Sequence, residues 1–190
     1  MIKIAITGGI GSGKSTICKI IETLNFPVYY SDKRAKALMK NSITIIEALK
    51  ELYGEDIYVK KEINRRKLAS IIFNSKDELR TVNKIIHPEV ERDFIKWSNC
   101  QKSEIVFQES AIVFESKSEE LFDYIICVVA DTDMKIERVI KRENTNREAI
   151  IERINNQLPQ TEKANLSDFV IENSEQHSLL YQVNKIISSI

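Results

Sequence analysis

A parallel α/β sheet covered by helices on both faces is the fold class that this 190-residue sequence predicts, and three observations carry the prediction. Ile2 to Thr7 is an apolar run without helical periodicity that stops at glycine, as a fully buried parallel strand does. Four of the five glycines then crowd between Gly8 and Gly13, and behind them Ile17, Ile20, Ile21 and Leu24 recur at helical spacing, so Lys14 to Leu24 is an amphipathic helix. Strand-like runs at Glu104 to Gln108, Tyr124 to Val129 and Phe169 to Ile171 alternate with helical stretches, the pattern of parallel strands joined by crossovers.

The remaining elements follow in order. Asn25 can take the left-handed conformation that ends a helix, and Phe26 to Tyr30 resumes as an extended segment. Ser31 or Asp32 can cap the next helix, and from there to Trp97 helix formers dominate. Helices are expected at Asp32 to Lys40, Ile43 to Tyr53, Arg65 to Phe73 and Asp77 to Trp97, which together read as a helical insertion. His87-Pro88 interrupts the last of these patterns, because proline disfavours helix at the residue before it, and predicts a kink or turn. Phe73, Phe94 and Trp97 read as core packing. Between Lys141 and Gln160 the chain is polar, carries Arg142, Arg147 and Arg153, and has the composition of an exposed, movable cover.

Composition excludes several function classes. Lys plus Arg and Asp plus Glu both number 28, so no global field points to nucleic acid or an anionic membrane as a partner. No apolar run approaches the roughly 18 residues that span a bilayer. The N-terminal stretch has no basic leader or cleavage site, and a cytoplasmic location is expected. Cys18, Cys100 and Cys127 are odd in number and lack C-x-x-C spacing, which argues against a disulfide framework or structural zinc. With only two histidines, a magnesium ion held by oxygen ligands is the metal that remains.

The glycines belong to a motif. Gly8-Gly9-Ile10-Gly11-Ser12-Gly13-Lys14-Ser15 satisfies G-x-x-x-x-G-K-[ST] at every defined position, and Thr16 follows. Glycines let backbone N–H groups turn inward around phosphate oxygens, and the helix that begins near Lys14 adds the positive end of its dipole. Lys14 would reach the outer phosphates, and Ser15 would place its hydroxyl on a magnesium ion. The loop leaves the phosphate acceptor unnamed.

Other residues are candidates for that second half of the chemistry. Asp32, just past the second extended segment, is either a general base for an attacking hydroxyl or a helix-capping acid. Glu109, after Ile105-Val106-Phe107, is either a magnesium ligand at a strand end or an exposed acid; Glu115 has the same ambiguity and a weaker claim. Arg138, Arg142, Arg147 and Arg153 are either triphosphate-binding groups of a closing lid or solvated helix residues.

Several segments taken together resemble the dephospho-coenzyme A kinase family. The resemblance runs from Ile4 to Thr16 through Ser31-Asp32, Arg65-Arg66-Lys67-Leu68-Ala69, Phe73 and Ile86-His87-Pro88. It resumes at Phe114-Glu115, Arg138, Arg142, Arg153 and Gln157 and ends at Ser167-Asp168-Phe169-Val170-Ile171-Glu172-Asn173. It implies a phosphate-loop nucleoside triphosphate hydrolase fold with a five-stranded parallel sheet. The core would occupy about 1–31, 101–141 and 161–190, a helical acceptor-binding lobe about 32–100, and a lid about 142–160.

The implied reaction moves the terminal phosphoryl group of ATP, with Mg2+, to the ribose 3′-hydroxyl of dephospho-coenzyme A, the last step of coenzyme A biosynthesis. On this resemblance Asp32, Lys14 and Arg142 are catalytic. ATP binding falls to Gly8, Gly9, Gly11, Ser12, Gly13, Lys14, Ser15, Thr16, Arg142 and Asn173. Asp32, Arg65 and His87 bind the acceptor, and Ser15 and Glu109 the metal. Neither nucleic acid nor membrane is an expected partner, and nothing in the sequence specifies an oligomer. The chain departs from the family pattern at Tyr30 and Asn64, where acids are usual, at Ala111, where proline is common, and at Glu109, which replaces Asp.

Overall fold

The structure, a computed structural model, describes residues 1–190 apart from the side chains of Phe73, Asn74 and Lys76, so the expected packing of Phe73 lies outside the described residues. The chain begins β1 (Ile2–Thr7), α1 (Lys14–Thr23) and β2 (Val28–Tyr30). It continues through α2 (Ser31–Asn41), α3 (Ile43–Tyr53), β3 (Tyr58–Val59), β4 (Glu62–Ile63), α4 (Arg65–Asn74) and α5 (Lys76–Asn99). The last part holds β5 (Ile105–Glu109), β6 (Tyr124–Val129), α6 (Thr132–Glu143), α7 (Arg147–Asn155), α8 (Gln160–Asn165), β7 (Phe169–Glu172) and α9 (Leu179–Ile187). Two compact units result, Met1–Tyr30 with Gln101–Ile190, and Ser31–Cys100.

The first unit is built on a parallel five-stranded sheet in the order β2-β5-β1-β6-β7. Alternation along β1 explains how it is covered. Ile4 and Ile6 point to one face and are buried with Ile17 and Ile21 of α1 and Val183 and Ile186 of α9. Ala5 points to the other, where Val113 and Ile125 close over it. Each fully buried isoleucine contributes about 1.5–3 kcal/mol of apolar transfer free energy, and this sheet face is rich in them. Phe26 meets Phe107 edge-on at 5.8 Å under the start of β2.

Asn25, at φ 64°, ends α1 as the sequence predicts. At the other edge, the Gln182 side chain of α9 accepts from the Glu172 N–H at 2.9 Å and donates to the Glu172 carbonyl at 3.0 Å. That pair of bonds blunts an otherwise open strand edge at one residue.

The second unit is mainly helical. Ile45, Leu49, Ile57, Val82, Ile86, Val90 and Phe94 are buried, and Phe94 stacks on Trp97 at 6.1 Å, so these two rings pack as the sequence predicts. Arg34 of α2 grips Asp93 of α5 through two bonds of 2.7 Å. Asn64, at a position where the resembled family usually has an acid, caps α4 by accepting from the Lys67 N–H at 3.2 Å, so an amide oxygen suffices for that task.

Two expectations are corrected here. His87-Pro88 makes no turn: α5 is helical from Lys76 to Asn99 with Pro88 inside it. Ser31 and Asp32 do not cap α2, because β2 runs directly into that helix and both residues lie in its first turn. Nothing in the sequence signals the tiny hairpin formed by β3 and β4, whose two linking residues, Lys60 and Lys61, both have positive φ (50° and 67°). That is the backbone of a type I′ turn made without the usual asparagine or glycine.

Candidate active site

The loop between β1 and α1 sits at the carboxyl ends of the three middle strands, where β1 is flanked by β5 and β6. Its backbone is forced by close neighbours. Gly13 has φ 100°, and a Cβ there would lie 1.9 Å from the Asn173 amide nitrogen. Gly8 has φ 141°, and a Cβ would come within 2.3 Å of the Val128 carbonyl. Only glycine satisfies both the conformation and the space.

Lys14 is 8% exposed, and its ammonium donates to the carbonyls of Gly8 and Gly9, both at 3.0 Å. The cation is therefore strung across the mouth of the loop rather than extended into solvent. Ser15 and Thr16, in the first turn of α1, are exposed, with hydroxyls on the helix N-terminal end. Thr7 Oγ1 and Ser12 Oγ are buried with no partner among the described residues. Such hydroxyls are costly to bury, and their place on this loop matches a ligand rich in oxygen acceptors.

Asn173 closes the loop from behind. It is nearly buried, its amide donates to the Ser12 carbonyl at 2.7 Å, and its oxygen accepts from Arg138 at 3.2 Å. Both ends of the side chain are thus committed to holding the cradle.

Glu109 ends β5, in register with Ile6 of β1 and Tyr30 of β2, and is partly buried. Burial, followed by the charges of Glu109 and Glu22, pushes the Cys18 thiol of α1 far above its usual range. The Tyr30 phenol is also raised, by burial first and then by the negative groups around it, including a hydrogen bond to Glu22. Cys127 is pushed up to about 11 by burial. None of these three is a nucleophile at neutral pH.

The arginines divide by partner. Arg142 and Arg153 both bond Glu143, Arg153 at 2.5 Å, and these bonds, that of Arg153 foremost, hold the Glu143 carboxyl below the usual range. Arg147 pairs with Asp133, and Arg138 belongs to Asn173. Arg142 and Arg153 are thus gathered onto one acid, with half or more of each side chain exposed.

In the helical unit, Asp32 is exposed in the first turn of α2, and Arg65 is the exposed first residue of α4. His87 is partly buried on α5, and burial lowers its pKa, so it is neutral at pH 7. Three residues that composition could not single out also matter: Gln157, Gln160 and Lys163 reach toward the loops at the strand ends. Gln157 Oε1 accepts from the Ile10 N–H at 2.9 Å. Gln160 accepts from the Ala130 N–H at 3.2 Å and donates to its carbonyl at 3.1 Å. Lys163, with no exposed surface, bonds Ala111 O and Glu115, both at 2.6 Å.

A parallel sheet whose central strand delivers G-x-x-x-x-G-K-S into a helix, backed by an arginine-bearing polar segment, defines a phosphate-loop kinase. Comparison with known proteins narrows the class. The family model described as dephospho-CoA kinase matches residues 2–178, and the chain belongs to that family. It is 41% identical to the dephospho-CoA kinase of Porphyromonas gingivalis across 100% of this chain and 95% of that one. Against the Bacteroides fragilis enzyme the identity is 37%, across 98% and 92%.

Among solved structures, a Thermus thermophilus protein superposes with a TM-score of 0.88 at 30% identity, covering 99% of this chain and 96% of that one. The dephospho-CoA kinase of Campylobacter jejuni gives 0.71 at 24%, covering 98% and 96%, a likeness of fold. No helix among the described residues is long and apolar enough to cross a membrane.

Proposed function

We propose that the protein transfers the terminal phosphoryl group of ATP to the ribose 3′-hydroxyl of dephospho-coenzyme A, giving coenzyme A and ADP. The observation that carries this reading is the phosphate cradle itself, with Lys14 across its mouth and Asn173 behind it, in a chain of the dephospho-CoA kinase family. The loop amides from Gly8 to Thr16 bind the triphosphate, and the Ser12 hydroxyl gains the acceptor that it lacks within the protein.

Asp32 takes the proton of the attacking hydroxyl. The new P–O bond forms as the bond to ADP breaks, and ADP departs with that electron pair. Lys14, with Arg142 swung from Glu143, offsets the charge on the transferred group. Arg65 and neutral His87 contact the acceptor, and Asn173 serves ATP binding by shaping the loop. Residues 32–100 form the acceptor-binding lobe, about 142–160 the lid, and the rest the core.

Ser15 and Glu109 are the residues that would hold Mg2+. The described residues contain no cluster of three or more acidic, His or Cys ligands. That sparse set suits an ion whose other ligands are phosphate oxygens and water, and its chemistry is to neutralise phosphate charge during transfer. We place the activity in the cytoplasm, where the free thiols of Cys18, Cys100 and Cys127 persist.

The test measures ADP formation from ATP and magnesium with dephospho-coenzyme A, nucleoside monophosphates, nucleosides or no acceptor. Stimulation by dephospho-coenzyme A alone is expected. A stronger response to a nucleoside or its monophosphate would overturn the substrate, and equal ADP release without any acceptor would mark a hydrolase or switch.

A further inference from the structure

Residues 157–163, a stretch shorter than two helical turns, bond three separate loops that emerge from neighbouring strands β5, β1 and β6. Gln157 takes the N–H of Ile10 in the phosphate loop, at 2.9 Å. The Leu158 N–H donates to Glu115 beyond β5 at 3.0 Å, and the same carboxylate holds Lys163, whose ammonium also bonds Ala111 O. Gln160 grips both backbone groups of Ala130 beyond β6 and accepts from Lys135 at 3.2 Å. These contacts join the end of α7 to the cradle.

Ile10 is held twice. Its side chain packs on Ile136, Val139 and Ile150, the apolar seam between α6 and α7, while its N–H faces Gln157. Asn173 braces the loop at the Ser12 carbonyl, and Ile10 ties it to the polar segment. Lys163 is the fixed point of the strap, because a charge without exposed surface tolerates only the geometry that keeps it paired.

Resting on the proposed function, we propose that Gln157 is a positioning residue: with the Glu115–Lys163 pair as its anchor, it sets the phosphate loop in its ATP-binding shape and couples the lid to it. Without the Gln157 acceptor, the Ile10 N–H is left unsatisfied and the loop must be ordered by the nucleotide. The loss of one such bond weakens ATP binding by about fivefold to tenfold.

The test is Gln157→Met, which keeps length and removes the acceptor. Titration of the full-length protein with a fluorescent ATP analogue, without acceptor substrate, should show the Kd raised about fivefold to tenfold. In steady-state assays KM for ATP should rise by a similar factor while turnover falls less than about threefold, a split that general loss of structure would not produce.

The double variant Glu115→Gln/Lys163→Met removes both charges of the anchor at once, avoids an unpaired buried ammonium, and should weaken the analogue in the same direction. It decides the matter if Gln157→Met fails to fold. Unchanged or tighter binding by a folded variant would overturn the proposal. Failure of the unaltered protein to use dephospho-coenzyme A would instead sink the substrate reading, and leave the nucleotide comparison standing.

Discussion

Asn173 and Ser12 stand 161 residues apart in the chain, yet the Asn173 amide donates to the Ser12 carbonyl at 2.7 Å in a buried setting. The bond links the residue after β7 to the loop after β1, across the intervening strand β6. Gly13 exists to let it form, since any side chain there would strike the same amide. The loop shape is thus imposed from outside the motif as well as by its glycines.

Asn173→Asp reverses the polarity of that bond. An acceptor would then face the Ser12 carbonyl, and although Arg138 could hold the new charge, the loop would lose its brace. A buried mismatch of this kind costs about 1–3 kcal/mol, so ATP affinity should fall by about fivefold or more. Calorimetric titration with ATP checks this, and Arg138→Ala should give a smaller effect, because it removes only the outer partner.

In the proposed reaction, Asp32 is the residue on which phosphoryl transfer most depends. Asp32→Asn keeps the size and the hydrogen-bonding reach in the first turn of α2 but cannot take a proton. Turnover should fall by roughly 10²-fold or more while nucleotide-analogue binding persists. Near-normal turnover would reduce Asp32 to a favourable charge at a helix N-terminus.

How much of this was legible depended on the range of the interaction. The phosphate loop, α1, β1 and β6 are written locally, in glycine spacing and apolar periodicity, and α3 emerged with the predicted bounds of Ile43 and Tyr53. The β3–β4 hairpin was invisible because Lys60 and Lys61 carry no turn preference; their positive φ is imposed by the surrounding fold. The turn offered at Pro88 is absent because a local steric preference yields to a helix that continues on both sides of it.

Gln157 and Lys163 failed to stand out from composition for a different reason. A glutamine and a lysine in a polar stretch look solvated, and only the approach of Ile10, Ala111 and Glu115 from distant parts of the chain makes them structural. The family resemblance points to Asn173, but not to its partners on both sides, Ser12 and Arg138.

Glu143 offers a pH-sensitive test of the arginine cluster. Its folded pKa is lowered, first by Arg153 and then by Arg142, so its contribution is complete above the ordinary glutamate value and is lost as pH falls through the depressed one. Glu143→Gln should therefore narrow the difference in stability from wild type as acid is added, and leave at most about 1 kcal/mol at neutral pH for so open a pair. Urea unfolding at neutral and acidic pH checks this. A difference that widens on acidification would show that the arginines do not hold this carboxylate ionised.

Pro88 sits inside α5, where it has no N–H to give to the Lys84 carbonyl and its ring crowds the preceding turn. A proline in a helix interior costs about 3 kcal/mol relative to alanine, of which less than about 1 kcal/mol is returned through a stiffer unfolded chain. Pro88→Ala should therefore stabilise the protein by about 2 kcal/mol, seen as a higher urea midpoint with an unchanged slope. The gain should come with a raised KM for dephospho-coenzyme A, because the neighbouring His87 is assigned to the acceptor and a straightened turn would reorient its ring. A more stable variant with an unaltered KM would detach Pro88 from substrate binding, and one no more stable than wild type would mean that α5 has already compensated for the missing donor.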